Sequence, residues 1–466
     1  MCNTQHFFEE SQEKELFRFR EIKTETDWRE ATIQITDAHI QEERTLLMLS
    51  KEGEVRKSSR ISQAFKNMDQ NPVSVITQAN KDIVSSIKEK LEAVSSLKSI
   101  FRVPEKLINE SNKKMYLPTT ISIGPLHHGD EGLKYMEDHK WHYVFTLLSR
   151  QPNQLESSLH ECVKALDDLE KPARNFYVEE LNLTCNQFME MMLVDGCFII
   201  ELFLKYVRKG IRHHGDPLFS TPGLLYRVRC DLILLENQMP FLILQRLFEI
   251  VQIPLEYDLT LTLSQLAIRF FRNMLPGDTK IYYEKFSQEG YHLLDLIRQC
   301  YLPTHARVLS KKRVSLDDLE CATNLKKNGI KSKSSRAKNL LNLKFANGVL
   351  EVPPLSPHQF TEMLFFNLIA SEQHQNNSQP FTSYAFLMKA MFRNEKDVKL
   401  FRKLGIVIMD DITEKEVCDM FKRLCEKVEC DEDKFYFAEL FEQIFEYKRS
   451  RRSWQKILKC LKIRTT

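Results

Sequence analysis

The chain is poor in glycine, with 13 in 466 residues, and it lacks any imbalance of charge, since 67 Lys and Arg face 64 Asp and Glu. Set beside 42% hydrophobic residues, that composition excludes a collagen-like, low-complexity or wholly disordered chain. The formal charge of +3 gives no global reason to expect nucleic-acid binding. Catalytic signatures are missing too: there is no Walker A loop, Gly-x-Ser-x-Gly elbow, His-Glu-x-x-His helix or dinucleotide glycine fingerprint. Those absences lower the expectation of an enzyme. Cysteine is plentiful, at eleven residues, but its number is odd and its spacing irregular from Cys2 to Cys460, which argues against a disulfide framework and for a reducing compartment. Cys418, Cys425 and Cys430 stand seven and five apart with no flanking His, unlike a paired zinc site. Neither a metal nor a cofactor is expected.

Membrane signals are equally thin. The N-terminus reaches Glu9, Glu10, Glu13 and Lys14 before any apolar core forms, so it does not read as a signal peptide. In Phe188 to Val207, 15 of 20 residues are apolar, but Glu190, Asp195, Glu201 and Lys205 interrupt them. At roughly 2 to 3.5 kcal/mol for a charge near the middle of an inserted helix, these offset much of the apolar gain. A buried core helix is the expectation, and the chain is placed in the cytoplasm or peripherally on the cytoplasmic face of a membrane.

What the chain does have is helical periodicity. Residues 1–70 are polar and read as a loosely ordered extension, and Asn71-Pro72 opens a helix whose apolar face runs from Ile76 to Ile100. Further helices are expected at Tyr135–Leu148, Leu155–Leu169, Cys185–Val207, Leu224–Ile250, Leu261–Met274 and Glu284–Tyr301, with Pro172, Gly210, Gly215-Asp216-Pro217 and Pro276-Gly277 among the breakers. Pro240 either kinks one helix or divides two. Around Asn347-Gly348, residues 341–352 alternate apolar and polar side chains, which predicts a β-hairpin on a type I′ turn. The fold class is mainly α: one large helical body over residues 71–447 with a small hairpin, an N-terminal extension and a basic tail at 448–466.

Four groups of residues invite a functional reading. His127-His128 with Glu137 and His139 combine imidazole and carboxylate, which can share a proton or a metal; the alternative is that they cap helices and fasten a turn. Asp195, Glu236 and Asn237 stand in apolar surroundings and need hydrogen-bond partners, for which Arg227, Arg229 and Arg246 are candidates. Lys326 to Lys338 holds six basic residues in thirteen, reading as a mobile solvated loop or a nucleic-acid contact. The last nineteen residues hold eight basic residues and no acid. There Trp454, Ile457, Leu458 and Leu461 recur at helical spacing among Arg451, Arg452, Lys456, Lys459 and Lys462. Such a basic amphipathic helix suits an anionic membrane surface, where Cys460 offers a place for acylation.

From about residue 100 the chain resembles the plant family called domain of unknown function 247, also grouped as UPF0481. The resemblance rests on Phe101-Arg102-Val103-Pro104, on Ile121-Ser122-Ile123-Gly124-Pro125-Leu126-His127-His128-Gly129, and on Met136-Glu137-Asp138-His139-Lys140-Trp141. It continues through Met191 to Leu202, Asp231-Leu232-Ile233-Leu234-Leu235-Glu236-Asn237-Gln238-Met239-Pro240-Phe241, Asn347 to Leu355 and Thr361 to Ala370. It implies a helical body without an established enzymatic activity, a C-terminal membrane helix in many members, and a link of some grass members with pollen self-incompatibility. The chain departs from that pattern after Tyr447, where the segment that resembles the approach to the anchor is not followed by an apolar helix. The expected role is a non-enzymatic interaction or signalling protein with an unknown protein partner. Alternatives are an enzyme built on His127, His128, Glu137 and His139, and nucleic-acid binding through 326–338.

Overall fold

The computed structural model describes residues 99–463 apart from 151–153, 252–260, 277–281, 283–290, 304–312, 338, 375–378 and 410–411. The expected extension at 1–70, the helix from Asn71 and the start of the expected Glu284–Tyr301 helix lie outside the described residues.

The first half of the body is built around one helix. In order come α1 (Tyr135–Leu148), α2 (Leu155–Arg174), α3 (Cys185–Val207), α4 (Pro217–Ser220), α5 (Leu224–Asp231), α6 (Phe241–Ile250), α7 (Leu263–Phe270) and α8 (Leu293–Tyr301). Thr184 and Gln187 form a reciprocal capping box that fixes where α3 begins. Every residue of α3 from Met191 to Lys205 is buried, with α1, α2, α6 and α7 packed around it. An apolar helix with charges therefore becomes the axis of the core, its buried charges Asp195, Glu201 and Lys205 paired internally. No helix among the described residues is long and apolar enough to cross a membrane.

Helix boundaries differ from the sequence expectation at α7, which spans Leu263–Phe270 and is followed by a separate 3-10 turn at Arg272–Met274, and at α2. α2 runs on to Arg174, with Pro172 accommodated in its last turn. Of the two readings of Leu224–Ile250, the divided one is realised: residues 232–240 leave the helical path and Pro240 begins the turn into α6. That intervening segment is wholly buried.

The second half adds α9 (Ala322–Lys327), β1 (Lys331–Ser334), β2 (Lys344–Ala346), β3 (Val349–Val352), α10 (Gln359–His374), α11 (Pro380–Met391), α12 (Glu395–Lys403), α13 (Glu414–Leu424) and α14 (Ala438–Ile463). The hairpin forms as expected, with Phe345 opposite Leu350. Asn347 and Gly348 both have positive φ, at 51° and 77°, as the mirror-image turn demands. The basic stretch before it is not simply a loop: α9 ends at Lys327 and β1 pairs in parallel with β3, Lys331 against Val349 through Ser334 against Val352. The three-stranded sheet thus has the order β1-β3-β2. Its backbone pairing holds those lysines in place despite a sequence with no apolar alternation. A continuous hydrophobic core joins both halves, from Ile100 to Ile444, in keeping with the mainly helical class expected.

Candidate functional site

The buried segment between α5 and α6 is where the residues flagged in sequence converge. An irregular backbone in an apolar core leaves amides and carbonyls without ladder partners, so side chains must supply them. Asp231 accepts from the amides of Thr119, Thr120 and Ile121 at 2.7–3.2 Å. Asn237 accepts from Ile123 N at 2.7 Å and donates to the carbonyls of Ile121 and Asp231. Gln238 donates to the carbonyls of Leu232 and Leu234 and accepts from Leu294 N. Leu235 N donates to Asn367 of α10, whose amide group donates to the Met115 carbonyl. Residues 231–238 are therefore a polar hub that ties the 119–128 strap, α8 and α10 to one another.

Glu236 completes the hub. Its Oε1 accepts from Val103 N at 2.7 Å, and its Oε2 faces His127 Nε2 at 3.1 Å and Arg102 at 3.5 Å. His127 Nδ1 faces Asp130 at 3.2 Å. With both nitrogens occupied by carboxylates, this imidazole fastens the strap and has no edge left for a substrate. Gly124, at φ 73°, lets the strap press against the Gln238 carbonyl, where a Cβ would lie 2.3 Å away.

The other members of the expected histidine site go elsewhere. His128 and Glu137 line a pocket of about 140 Å³ with Trp141, Gln187, Glu190 and Asp195. His139 instead packs edge-on against Tyr135 at 5.0 Å. Asp195 Oδ1 accepts from Lys140 Nζ at 2.7 Å and Oδ2 from Gly124 N at 2.8 Å; Glu137 approaches the same ammonium at 2.7 Å. Burial pushes the Asp195 carboxyl up, against the pull of Lys140 and the Gly124 amide. For Lys140 burial opposes the charge, but Asp195 and Glu137 together raise its pKa. The arginine partners expected for Asp195, Glu236 and Asn237 do not serve. Lys140 and the backbone take Asp195, Arg102 and His127 take Glu236, and backbone groups alone take Asn237, because partner choice is made by contacts 55 to 134 residues apart. Among the described residues no group of three His, Cys, Asp or Glu is disposed to hold a metal ion. Burial drives the Cys425 and Cys430 thiols up to about 12, away from the thiolate form that zinc selects.

A different region gathers basic side chains around two clefts. Where α3 ends, Arg208-Lys209-Gly210-Ile211-Arg212-His213-His214 forms a basic turn. One cleft beside it, about 940 Å³, is lined by Lys209, Arg212, Arg269 and Arg272, by the hydroxyls of Ser220 and Thr221, and by Tyr206, Phe219 and Leu225. A second, about 680 Å³, shares Arg212 and adds His142, Arg150, Arg208 and His213. Neither has a carboxylate among its lining residues. Arg212 is held in place by its Nε donating to Lys205 O at 2.7 Å, its Nη2 to Tyr206 O at 3.0 Å, and the Phe219 ring 4.0 Å beneath it. The acids closest behind it are committed inward. Asp216 bonds Lys205 and Tyr143 at 2.9 Å, and Glu201 pairs with Arg150 and Lys205. Burial pushes Glu201 up to about 7 against the pull of both cations. For Arg212, burial outweighs the favourable field of Asp216 and lowers its pKa. By sequence alone this turn reads as punctuation between helices; five basic or His residues in seven are the available signal, while Arg269 and Arg272 join only through the fold.

The basic C-terminal stretch begins inside the body. α14 is rooted by buried Phe441 and Ile444, Lys448 is buried and paired with Glu320, and Arg451, half of the Arg451-Arg452 pair expected to face lipid, donates to the Gly329 carbonyl at 2.9 Å. Beyond Arg451 the helix backbone continues unbroken to Ile463.

Residues 100–464 match the family model DUF247, described as a plant protein of unknown function. The chain is 32% identical over 376 residues to the UPF0481 protein At3g47200 of Arabidopsis thaliana, covering 75% of this chain and 77% of that one. It is 29% identical over 216 residues to the putative UPF0481 protein At3g02645 of the same plant, covering 44% and 38%. No solved structure matches it. With the matched region taking in the hub, the basic clefts and all of α14, the chain belongs to the plant DUF247 family.

Proposed function

We propose that this chain is a non-enzymatic interaction protein that docks peripherally on an anionic membrane surface through the basic end of α14. The observation that carries this reading is the continuity of that helix. It is anchored in the core at Phe441 and Ile444 and runs without a break to Ile463, so the basic, tryptophan-bearing segment continues the same helix. On a helix of 3.6 residues per turn, Trp454, Ile457, Leu458 and Leu461 fall along one stripe, with Lys462 at its edge and Arg452, Lys456 and Lys459 on the opposite face. Anionic lipid attracts each such cation by about 1 kcal/mol near the surface. The non-enzymatic part of the reading is supported by the hub, where the histidine and carboxylates that invited catalysis hold backbone and one another.

Flotation with vesicles of phosphatidylcholine and phosphatidylserine tests the docking. The full chain is expected to float with anionic vesicles and not with pure phosphatidylcholine. Charge reversal at Arg452, Lys456, Lys459 and Lys462, or a chain ending after Arg451, is expected to abolish it; the cut belongs there because Lys448 is part of the buried structure. Equal behaviour of the full and shortened chains sinks the reading.

A further inference from the structure

We infer that the cleft between the basic turn and α7 is a binding site for a small, multiply phosphorylated molecule. This goes beyond the docking of α14 and involves none of its residues. Lys209 and Arg272 are exposed on the cleft and Arg212 is half-buried beside them, so two segments some sixty residues apart in sequence deliver cations to one concavity. Among the described residues Arg272 bonds only its neighbour Asn273, and the Lys209 side chain makes no hydrogen bond or ion pair. Like charges gathered this way repel unless an anion sits among them. Arg212 has its Nε and one Nη2 hydrogen fixed on backbone carbonyls and its ring face on Phe219, which leaves the rest of its planar fork in a set orientation, the geometry suited to a phosphate.

Shape favours a small molecule over a polymer. A concave site of about 940 Å³ lies within the size range of ligand pockets, and its walls combine apolar Tyr206, Phe219 and Leu225 with the hydroxyls of Ser220 and Thr221. Such walls suit a compact polyol or ring carrying phosphates. A nucleic acid needs a longer basic track with bases stacked along it. The phosphates are either free in solution or carried on a lipid headgroup, and the two sources present the same chemistry to the cleft.

Calorimetric titration of the full chain with inositol hexakisphosphate and with tripolyphosphate tests the site. Micromolar binding is expected, steeply weakened by salt. The double variant Lys209→Gln/Arg272→Gln is expected to bind about a hundredfold more weakly, at roughly tenfold for each charge-assisted hydrogen bond removed. Circular dichroism checks that it is folded, and Ser220→Ala/Thr221→Ala, also on exposed positions, is the second pair. Affinity weaker than millimolar for both probes, or affinity unchanged in both pairs, overturns the inference. So does a 20-nucleotide single strand that binds more tightly than inositol hexakisphosphate and loses that binding with the same two cations. Flotation of the variant reversed at Arg452, Lys456, Lys459 and Lys462, on phosphatidylcholine vesicles with and without phosphatidylinositol bisphosphate, separates the sources. Capture by the phosphorylated lipid assigns the site to a headgroup, and solution binding without capture assigns it to a soluble ligand.

Discussion

The hub at 231–238 and the cleft around Arg212 are both rich in ionisable groups, but they use them in opposite ways. In the hub the polar side chains answer backbone or side-chain partners: Asp231 takes three amides, Glu236 an amide, an imidazole and a guanidinium, and Asn237 an amide and a carbonyl of the strap. In the cleft no carboxylate stands among the lining residues, Asp216 behind it bonds Lys205 and Tyr143, and the exposed Lys209 makes no hydrogen bond or ion pair among the described residues. Buried polar groups that are satisfied specify a fold; partly buried charges left unbalanced hold binding energy for something else. The sequence motifs that look most chemical hold backbone groups and one another, and the clefts open in a stretch without any such motif.

The largest expected effect is in the hub. Glu236→Ala removes the acceptor of Val103 N and leaves Arg102 and His127 facing a cavity at a site 4% exposed. By the measure of buried pairs that lose one partner, this costs on the order of 3 to 5 kcal/mol, seen as a lower urea midpoint. A loss below about 1 kcal/mol would break the contrast, because the hub would then be no more committed than a surface cluster.

Next in size is a pH signature of Asp231 in the hub. Burial pushes Asp231 up to about 6 from 3.8, against the pull of the Ile121, Thr119 and Thr120 amides. Because the folded value is the higher one, the folded state binds the proton more tightly. The contribution of this group is therefore fully present below about pH 3.8 and is lost as pH rises through 6. At about 1.4 kcal/mol per unit, the loss is on the order of 3 kcal/mol. Thermal unfolding of the native chain and of Asp231→Asn between pH 4 and 7 is expected to show the difference between them shrinking as pH rises. Parallel profiles would mean that the amides keep the carboxylate ionised throughout.

How much of this was legible depends on how local the cause is. α1 and α3 are bounded as the sequence expects because their signals are local: a capping box at Thr184 and Gln187, and breakers just beyond. The hairpin was legible for the same reason, since Asn347-Gly348 is itself the turn. β1 was not, because Lys331–Ser334 has no alternating pattern and becomes a strand only through parallel pairing with β3. For the sites, burial of Asp195, Glu236 and Asn237 followed from their apolar neighbours, but their partners did not. A residue such as Asn367, which joins Leu235 to Met115, carries no local signal at all. His127 and His139 stand twelve apart and belong to different surroundings, which spacing alone does not reveal.

The smallest expected effect is the most discriminating. Lys209→Gln/Arg272→Gln changes two exposed cations whose one side-chain hydrogen bond among the described residues runs from Arg272 to Asn273, so in dilute buffer it is expected to move stability by no more than about 0.5 kcal/mol. Relief of repulsion between neighbouring charges makes a slight gain the expected sign. With inositol hexakisphosphate at a hundred times its dissociation constant the two chains are expected to part, since a ligand that binds only the folded state adds about 2.7 kcal/mol to the native chain and little to the variant. A hub residue cannot behave this way: its substitution lowers stability with or without ligand. A cleft variant that destabilises the ligand-free chain by several kcal/mol would move Lys209 and Arg272 into the same class as Glu236, and the contrast between the two regions would fail at that point.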